Sequence, residues 1–410
     1  MGLPWEALLD DCDRRLRGSD IRDLLRVTAQ PDVISFAGGL PAPEFFPVEA
    51  MREAFDAVLR SDGVAALQYG PTEGYEPLKE YLSQYLATRG IVAAPDEILP
   101  TTGSQQGLDL LSKVLLRPGS RVVPGSRVVV EAPSYVGALQ AWMAHDPCFI
   151  AVPMDEQGLR VDDAAALLRE APAEGGLLYT AATFQNPSGV TMSAERRRAL
   201  LDLCLAHNLP LVEDDPYGEL RYEGERVPSF RALPGGGDAI YLGTFSKTLA
   251  PGLRVGWVVA PRPLIKRLVI AKQAADLHTD SLVQRAVLHY CRHADLDGHV
   301  ARLRAVYGAR RDAMLAALER YAPEGVTWTR PQGGLFLWLR LPQGTDAREV
   351  LKDALAQRVA FVPGTAFHPH GEGANCLRLN FSHSDEARIE EGVRRLAGVL
   401  AAHLRQAAPV

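Results

Sequence analysis

The middle of this chain alternates short runs of β-branched residues with longer amphipathic segments, a pattern that restricts the possible folds. This order is typical of βαβ units, in which helices connect the strands of a mostly parallel sheet. It therefore predicts an α/β fold. The runs that we expect to be strands are Arg127 to Glu131, Leu177 to Ala181, Leu209 to Glu213, Ile240 to Gly243 and Val255 to Val259.

The length of 410 residues predicts more than one domain, because one small core cannot take up so long a chain. We expect residues 1–50 to form an N-terminal arm and part of a small domain, and residues 51–285 to form the large domain. Residues 286–410 should complete the small domain with a long helical stretch, an alternating strand from Leu335 to Leu341 and a final helix from Asp385. That small domain should be α+β and built from both chain ends.

The composition narrows the classes of partner. A net charge of −6 without a basic block argues against nucleic acid as a main partner. No apolar run approaches the roughly 20 residues of a membrane span, and the N-terminus lacks the features of an export signal. Five cysteines without Cys-x-x-Cys spacing are typical of reduced thiols. We therefore expect a cytoplasmic protein that has no membrane partner.

The segment from Tyr241 to Val259 carries the strongest chemical signal. It places Lys247 beside the hydroxyl residues Thr244 and Ser246, and Arg254 follows seven positions after the lysine. A lysine can form an imine with a carbonyl, whereas hydroxyls and an arginine suit a phosphate. A surface turn between two strands would explain Ser-Lys-Thr alone. The whole set instead predicts a cofactor that is both an aldehyde and a phosphate ester, which is pyridoxal phosphate.

Three predicted strand ends bring further polar groups to one edge of the sheet. Asn186 follows one strand, Asp214 and Tyr217 follow the next, and Lys247 follows a third. Open parallel sheets bind ligands at this edge. A buried carboxylate at Asp214 would keep a pyridine nitrogen protonated, so that the ring can accept electrons. The amide and the phenol would lie near the ring oxygen.

Thr101 to Gly107 precedes a predicted helix from Leu108 to Leu116. The free N–H groups of a helix N-terminus, with the hydroxyl of Ser104, predict an anion site, although such turns are also ordinary helix caps. Tyr135 follows another strand and could stack on a cofactor ring or be a buried core residue.

Two other features carry no functional prediction. The segment Pro118 to Val123 is repeated at once as Pro124 to Val129, and we interpret the copy as a loop insertion because it is too short for a repeat architecture. His368, His370 and His383 do not have the spacing of a closed zinc site, so we expect no metal.

The ordered motifs resemble those of fold-type I pyridoxal-phosphate aminotransferases, and most of all the subgroup of 2-aminoadipate and kynurenine aminotransferases. The resemblance extends from about Asp20 to the C-terminal helix. It implies a mostly parallel seven-stranded sheet flanked by helices, with a smaller α+β domain. The segments that carry it are Ser35 to Glu44, Leu67 to Tyr75, Thr102 to Gly107, Phe184 to Gly189, Glu213 to Tyr217, Thr244 to Lys247 and Leu377 to Ser382.

The resemblance implies a role for each cofactor residue. Lys247 forms the imine and then moves the proton, Asp214 pairs with the pyridine nitrogen, and Tyr135 stacks on the ring. Asn186 and Tyr217 contact the ring hydroxyl. The residues implied to hold the phosphate are Ser104, Gln105, Thr244, Ser246 and Arg254, with Tyr69 contributed by the partner subunit of a homodimer.

The resemblance also implies a substrate site. Arg378 would bind the α-carboxylate, with Asn186 close by, and Arg22 would meet the distal carboxylate of acidic substrates. Gly39 belongs to a Gly-Gly turn that allows a close approach to the substrate. Without the resemblance, Arg378 would be interpreted as a surface arginine at a sheet edge and Arg22 as part of a solvated helix face.

The expected activity is transfer of an amino group from an L-amino acid to a 2-oxo acid such as 2-oxoglutarate, by a ping-pong mechanism. 2-Aminoadipate and glutamate are the first candidates for the donor, which implies a place in lysine biosynthesis; leucine, aromatic amino acids and kynurenine stay open. A lyase or decarboxylase could use the same residues. A non-catalytic sensor domain of an aminotransferase-like regulator is disfavoured, because only about 20 residues precede the matching region.

Overall fold

The computed structural model describes residues 3, 5, 30, 32–117, 125–170 and 176–407. Arg22 and the first copy of the tandem repeat lie outside these residues. The helices of the described part are α1 Val48–Ala66, α2 Glu76–Ala87, α3 Ser104–Leu115, α4 Val136–Met143, α5 Val161–Glu170, α6 Ala194–Ala206, α7 Arg262–Asp276, α8 Ser281–His293, α9 Leu296–Tyr321, α10 Ala347–Ala356 and α11 Glu386–Ala407.

The strands belong to three sheets. Their bounds are β1 Ile34–Ser35, β2 Ile98–Thr102, β3 Arg127–Ala132, β4 Cys148–Asp155, β5 Gly158–Leu159, β6 Leu177–Thr180, β7 Leu211–Asp214, β8 Ile240–Thr244, β9 Val255–Val259, β10 Thr327–Trp328, β11 Phe336–Arg340, β12 Val359–Ala360, β13 Val362–Pro363 and β14 Cys376–Asn380.

The largest sheet has the strand order β2-β9-β8-β7-β6-β3-β4-β5. Its centre is parallel, with Val130 opposite Tyr179, Tyr179 opposite Val212, and Val212 opposite Ile240. Only β9 and the two-residue β5 run against the other strands among the residues described. The predicted α/β fold is confirmed, and β5 adds an eighth strand to the seven that the resemblance implies.

The predicted strands form where the sequence places them, with small shifts at the ends. β9 has the predicted bounds, whereas β7 begins two residues later than expected and includes Asp214. α3 begins at Ser104, four residues before the predicted start, because Gly103 has a φ of 74° and turns the chain directly from β2 into the helix. The buried residues Val128, Val129 and Val130 show that both faces of the sheet are covered.

Both ends of the chain contribute to one core beside the small antiparallel sheet β10-β11-β14-β13. Ile34 and Phe36 pack there with Phe336, Phe381 and residues of α9 and α11. β1 also pairs in parallel with β12, far along the chain. This arrangement agrees with the predicted α+β unit built from both chain ends, while the domain boundaries stay a prediction.

The geometry of the large sheet places several loops together. β6, β7 and β8 run in parallel, so the loops after them leave the same edge, and these loops carry Asn186, Tyr217 and Lys247. Among the described residues, none of the helices is long and apolar enough to cross a membrane. The same part of the chain contains no group of three or more potential metal ligands in a suitable arrangement.

Candidate active site

A cavity of about 520 Å³ opens at the edge of the large sheet where these loops meet. Twelve of the fourteen site residues expected from the sequence line it: Gly39, Ser104, Gln105, Tyr135, Asn186, Asp214, Tyr217, Thr244, Ser246, Lys247, Arg254 and Arg378. They come from segments that are far apart in sequence. The fold therefore brings these twelve side chains and backbone groups into one site.

Lys247 follows β8 and reaches across the cavity to the N-terminal segment. Its Nζ donates a hydrogen bond of 2.8 Å to the carbonyl oxygen of Gly39. Removal from water and, to a smaller extent, the positive charges of Arg378 and Arg254 together lower the pKa of the amine to about 8. A substantial fraction of the amine is therefore neutral near physiological pH, as a nucleophile or a base requires.

Asp214 is the last residue of β7, and of its two carboxylate oxygens one accepts a hydrogen bond within the described part of the chain and the other does not. Oδ2 accepts a 3.0 Å hydrogen bond from the hydroxyl of Tyr179, whereas the buried Oδ1 has no partner among the described residues. The pKa of Asp214 is raised to about 7, mainly by burial and also by nearby Asp215 and Glu131, while the Tyr179 hydrogen bond opposes the shift. A buried carboxylate oxygen without a partner is costly unless a ligand supplies a donor.

The side chains around Asp214 are held by close packing. The ring of Tyr217 lies edge-on to Phe336 at 5.8 Å between centroids, and burial raises the pKa of its phenol. Tyr135 lies directly over Gly137, where an added Cβ would come within 2.6 Å of the ring. Gln105 Nε2 donates to the carbonyl of Gly137 at 2.8 Å. These contacts fix the aromatic wall of the cavity.

The other end of the cavity is rich in hydrogen-bond donors. Ser104 is the first residue of α3, so the free backbone N–H groups of the first turn of this helix point toward this end of the cavity. The hydroxyls of Thr244 and Ser246 lie 2.9 Å apart. Arg254 packs against Gly103, where a Cβ would collide with the guanidinium, and its Nη2 donates to the carbonyl of Thr102 at 3.3 Å. This set of donors suits a phosphate.

Arg378, on β14, is only 3% exposed, so its interpretation as a surface arginine is wrong. Nη1 donates to Asn186 Oδ1 at 2.8 Å and Nη2 to the carbonyl of Ala37 at 2.6 Å. The guanidinium lies between the rings of Phe336 and Phe367, at 4.3 and 4.9 Å from their centroids. Burial lowers the pKa of Arg378 to about 10, yet it stays cationic at neutral pH and fits a carboxylate.

Of the two remaining expected site residues, Tyr69 does not line the cavity. Tyr69 is 78% exposed, and its ring lies edge-on to His278 at 5.9 Å between centroids. Arg22 lies outside the described residues. Tyr69 therefore does not contribute to the cavity of this single chain.

Comparison with known proteins decides the family. The model of the family "Aminotransferase class I and II" matches residues 31–396. The chain belongs to this family. The aromatic-amino-acid aminotransferase 1 of Thermococcus litoralis is 44% identical to this aminotransferase over 408 residues, which are 98% of this chain and 96% of the relative. The 2-aminoadipate transaminase of Thermus thermophilus is 44% identical over 402 residues, which are 97% and 98% of the two chains.

Solved structures confirm the fold-type I architecture. The kynurenine aminotransferase of Pyrococcus horikoshii has a TM-score of 0.92 at 43% identity and covers 98% of each chain. The α-aminoadipate aminotransferase of Thermus thermophilus, complexed with N-(5'-phosphopyridoxyl)-L-leucine, has a TM-score of 0.90 at 42% identity; the match covers 98% of this chain and 100% of that one. The resemblance found in the sequence is thus confirmed.

Enzymes of this family use pyridoxal 5'-phosphate, which is the cofactor of this aminotransferase. The cavity fits it, because Asp214 Oδ1 lacks a donor and Lys247 supplies an amine with a lowered pKa. The donor-rich end with Ser104 and Arg254 matches the phosphate in charge.

Sequence reasoning missed several residues of the aminotransferase site. Tyr179 lies in a correctly predicted strand, but the sequence does not indicate that its hydroxyl reaches Asp214. Gln140 lines the cavity from α4 without any motif of its own. The buried pair Glu131 and Gln185 was also missed. Gln185 could have been noticed, because it lies in the segment Phe184 to Gly189 directly before Asn186.

Proposed function

We propose that this aminotransferase moves the amino group of an L-amino acid, with 2-aminoadipate and glutamate as the first candidates, to a 2-oxo acid such as 2-oxoglutarate. Leucine and aromatic amino acids are further candidate donors. The observation that carries the proposal is the buried Arg378, fixed in the same cavity as Lys247 by Asn186 and Ala37. The names of the relatives, which include a 2-aminoadipate transaminase and an aromatic-amino-acid aminotransferase, support this range of donors.

The chain offers a partner for each part of the cofactor. When bound, pyridoxal phosphate supplies an aldehyde that condenses with amines and a ring that accepts electrons. Asp214 would accept the hydrogen bond of the ring nitrogen, and Asn186 and Tyr217 would contact the ring hydroxyl. Tyr135 would lie against the ring face. The phosphate would be held by Ser104, Gln105, Thr244, Ser246 and Arg254, with Tyr69 of a second subunit.

The proton transfer is assigned to Lys247. Its amine has a pKa of about 8, so at neutral pH a fraction is free to remove the α-proton and to return a proton afterwards. Arg378 would hold the α-carboxylate by two hydrogen bonds and so orient the substrate's α-carbon toward Nζ. The donor amino acid and the acceptor 2-oxo acid both carry this carboxylate. They would therefore use the same site in turn, which gives ping-pong kinetics.

Preference for acidic donors is assigned to Arg22. This part of the proposal rests on the sequence resemblance, because Arg22 lies outside the described residues. A guanidinium in the N-terminal segment would pair with the distal carboxylate of 2-aminoadipate or glutamate. Gly39 supports a close approach of that segment, since its carbonyl already contacts Lys247.

The functional unit is proposed to be a homodimer. Tyr69 is absent from the cavity of its own chain and 78% exposed, as expected for a residue that completes the site of a partner. Large apolar side chains near it are also exposed, with Val64 at 91%, Leu67 at 73% and Leu277 at 51%. Such exposure is typical of a surface that another subunit covers. A cytoplasmic location, and the place in lysine biosynthesis that 2-aminoadipate as donor would imply, belong to the same proposal.

A donor panel tests the substrate range. The purified holoenzyme is incubated with 2-oxoglutarate and either 2-aminoadipate, glutamate labelled with ¹⁵N, leucine, phenylalanine or kynurenine, and kcat/KM is obtained from the labelled or newly formed products. We expect the acidic donors to give the highest values. Release of carbon dioxide or ammonia in place of amino transfer would instead support the decarboxylase or lyase alternative. Sedimentation of the same sample tests the dimer, which a fully active monomer would contradict.

A further inference from the structure

Glu131 and Gln185 are buried polar residues that lie behind the cavity without lining it. Glu131 is 0% exposed near the end of β3, and Gln185 is 1% exposed in the loop after β6. The β3 strand leads into the loop that carries Tyr135, and Gln185 directly precedes Asn186. The two residues therefore lie at the roots of two loops that form the site.

The side chain of Gln185 uses all its polar groups. Nε2 donates to Glu131 Oε2 at 3.1 Å and to the carbonyl of Pro133 at 2.7 Å, and Oε1 accepts from the N–H of Ser188 at 2.8 Å. Its backbone N–H donates to Val190 and its carbonyl accepts from Gly189. One side chain thus closes the turn that contains Asn186 and links this turn to the Tyr135 loop.

Glu131 holds Gln185 in place. Its carboxylate accepts from the hydroxyl of Thr180 and from the N–H of Ala181 at 3.2 Å, as well as from Gln185. All three partners are donors, as a carboxylate requires. Burial raises the pKa of Glu131, while these hydrogen bonds and the charge of Arg197 oppose that shift. The result is a rigid link between the ends of β3 and β6.

The link continues into the substrate site. Asn186 Oδ1 accepts the 2.8 Å hydrogen bond from Arg378, whose other nitrogen donates to Ala37. Two residues further along that segment, the carbonyl of Gly39 receives the hydrogen bond of Lys247. A displacement of Gln185 would therefore move Asn186 and leave the guanidinium of Arg378 without one of its two orienting partners.

We propose that Gln185, held by Glu131, is a positioning residue that fixes Asn186 and, through it, the orientation of Arg378. This inference rests on the proposed function, in which Asn186 contacts the cofactor and Arg378 binds the substrate carboxylate. Its basis is the hydrogen-bonding geometry of the two side chains, so the charge of Glu131 should matter less than its acceptor oxygens.

Substitution of Gln185 tests the position of Asn186. Gln185→Met keeps the length but removes all three side-chain hydrogen bonds. We expect the Kd of the apoprotein for pyridoxal phosphate and the KM of every amino donor to rise by about tenfold or more, with a smaller loss in kcat. In an Asn186→Ala background the same substitution should add little, because Gln185 acts through Asn186. Effects that simply multiply in the double variant would overturn the proposal.

Substitution of Glu131 separates hydrogen bonding from charge. Glu131→Leu removes the acceptors and should resemble Gln185→Met. Glu131→Gln can keep one oxygen toward Ala181 and Gln185 while its amide faces the hydroxyl of Thr180, which can rotate to accept. It should therefore stay within about threefold of the parent enzyme in Kd and KM. Equal damage by Glu131→Gln and Glu131→Leu would overturn the positioning role.

Controls distinguish positioning from a general loss of stability. Glu97→Gln alters the remote ion pair of 3.2 Å with Arg231 and should change the unfolding midpoint without changing Kd or KM. The inference is wrong, while the proposed function stands, if Gln185→Met changes only the unfolding midpoint, as this control does. If Gln185→Met fails to fold, Gln185→Asn takes its place in the same comparison. If the parent protein neither binds pyridoxal phosphate nor transfers amino groups, the proposed function itself is wrong.

Discussion

Glu213 and Asp214 are adjacent at the end of β7, but they point to opposite faces of the large sheet and meet different partners. Glu213 accepts from Arg197 at 3.1 Å, from the N–H of Phe230 at 3.0 Å and from Ser229. Asp214 has one partner, Tyr179, and one buried oxygen without any among the described residues. Burial raises the pKa of each carboxyl to about 7.

The comparison shows that burial alone does not identify a functional carboxylate. Both carboxylate oxygens of Glu213 accept hydrogen bonds from its neighbours. One of these donors, Arg197, also donates to the carbonyl of Ala182, at the start of the loop that carries Asn186. Asp214 keeps an acceptor for a ligand. Two lysines differ in the same way: Lys272 is paired with Asp276 and Gln106, whereas Lys247 contacts one carbonyl. The unsatisfied member of each pair lines the cavity.

The largest difference is expected between the two lysines. Lys247→Ala should lower turnover by about 10⁴-fold, because it removes both the covalent bond and the proton transfer. Lys272→Met should keep turnover within about tenfold and reduce the free energy of unfolding by about 1–3 kcal/mol, since Asp276 loses its charged partner. Borohydride reduction followed by mass spectrometry should locate the cofactor on Lys247; an adduct on Lys272 would contradict the comparison.

The next largest difference is expected between variants of the two carboxylates, Asp214 and Glu213. Asp214→Asn should lower kcat by on the order of 10²–10³-fold, because the ring nitrogen loses its charged partner. Glu213→Gln should leave kcat within about tenfold but reduce the free energy of unfolding by about 3 kcal/mol, since Arg197 loses a buried ion pair. Steady-state kinetics and guanidinium chloride unfolding measure the two effects. The comparison fails if both variants lose activity to the same extent.

The two arginines that are proposed to bind substrate, Arg22 and Arg378, extend the comparison to binding. Arg22→Ala should reduce kcat/KM for 2-aminoadipate by roughly 30- to 1000-fold, because a bound distal carboxylate loses its charge partner. Leucine, which has no distal carboxylate, should change far less. Arg378→Ala should damage every donor, because each carries an α-carboxylate. Equal factors for acidic and neutral donors in the Arg22 variant would mean that Arg22 does not determine specificity.

The smallest effect concerns the stability of the apoprotein. Asp214 has a folded-state pKa of about 7, above its usual value near 3.9, so the folded state binds the proton more tightly. Stability is therefore lost as pH rises between these two values. Asp214→Asn removes this loss, and its apoprotein should gain about 2 kcal/mol relative to the parent between pH 5 and pH 8. Denaturant unfolding at both pH values measures the gain; a constant difference would show that Asp214 is ionised throughout.

The sequence alone determined the α/β order, the bounds of β9 and nine of the residues that line the cavity. These follow from local properties: strand and helix periodicity, and the placement of polar groups after strands and at the start of a helix. Gly39, Gln105 and Arg378 were expected only from the resemblance to the family. β5, with two residues, was too short to give a pattern. The early start of α3 depended on the positive φ of Gly103, which the composition of the turn did not reveal.

Only the tertiary structure decided which polar groups are satisfied. Successive side chains of a strand point to opposite faces of the sheet, so Glu213 and Asp214 must face opposite ways. The helices that pack on the two faces determine which of the two residues contacts Arg197 and which lines the cavity. Likewise, Arg378 is buried because Phe336 and Phe367 enclose it. Asn186, which orients it, lies 192 positions away in the chain. Contacts between such distant segments follow from packing, so no local pattern specifies them.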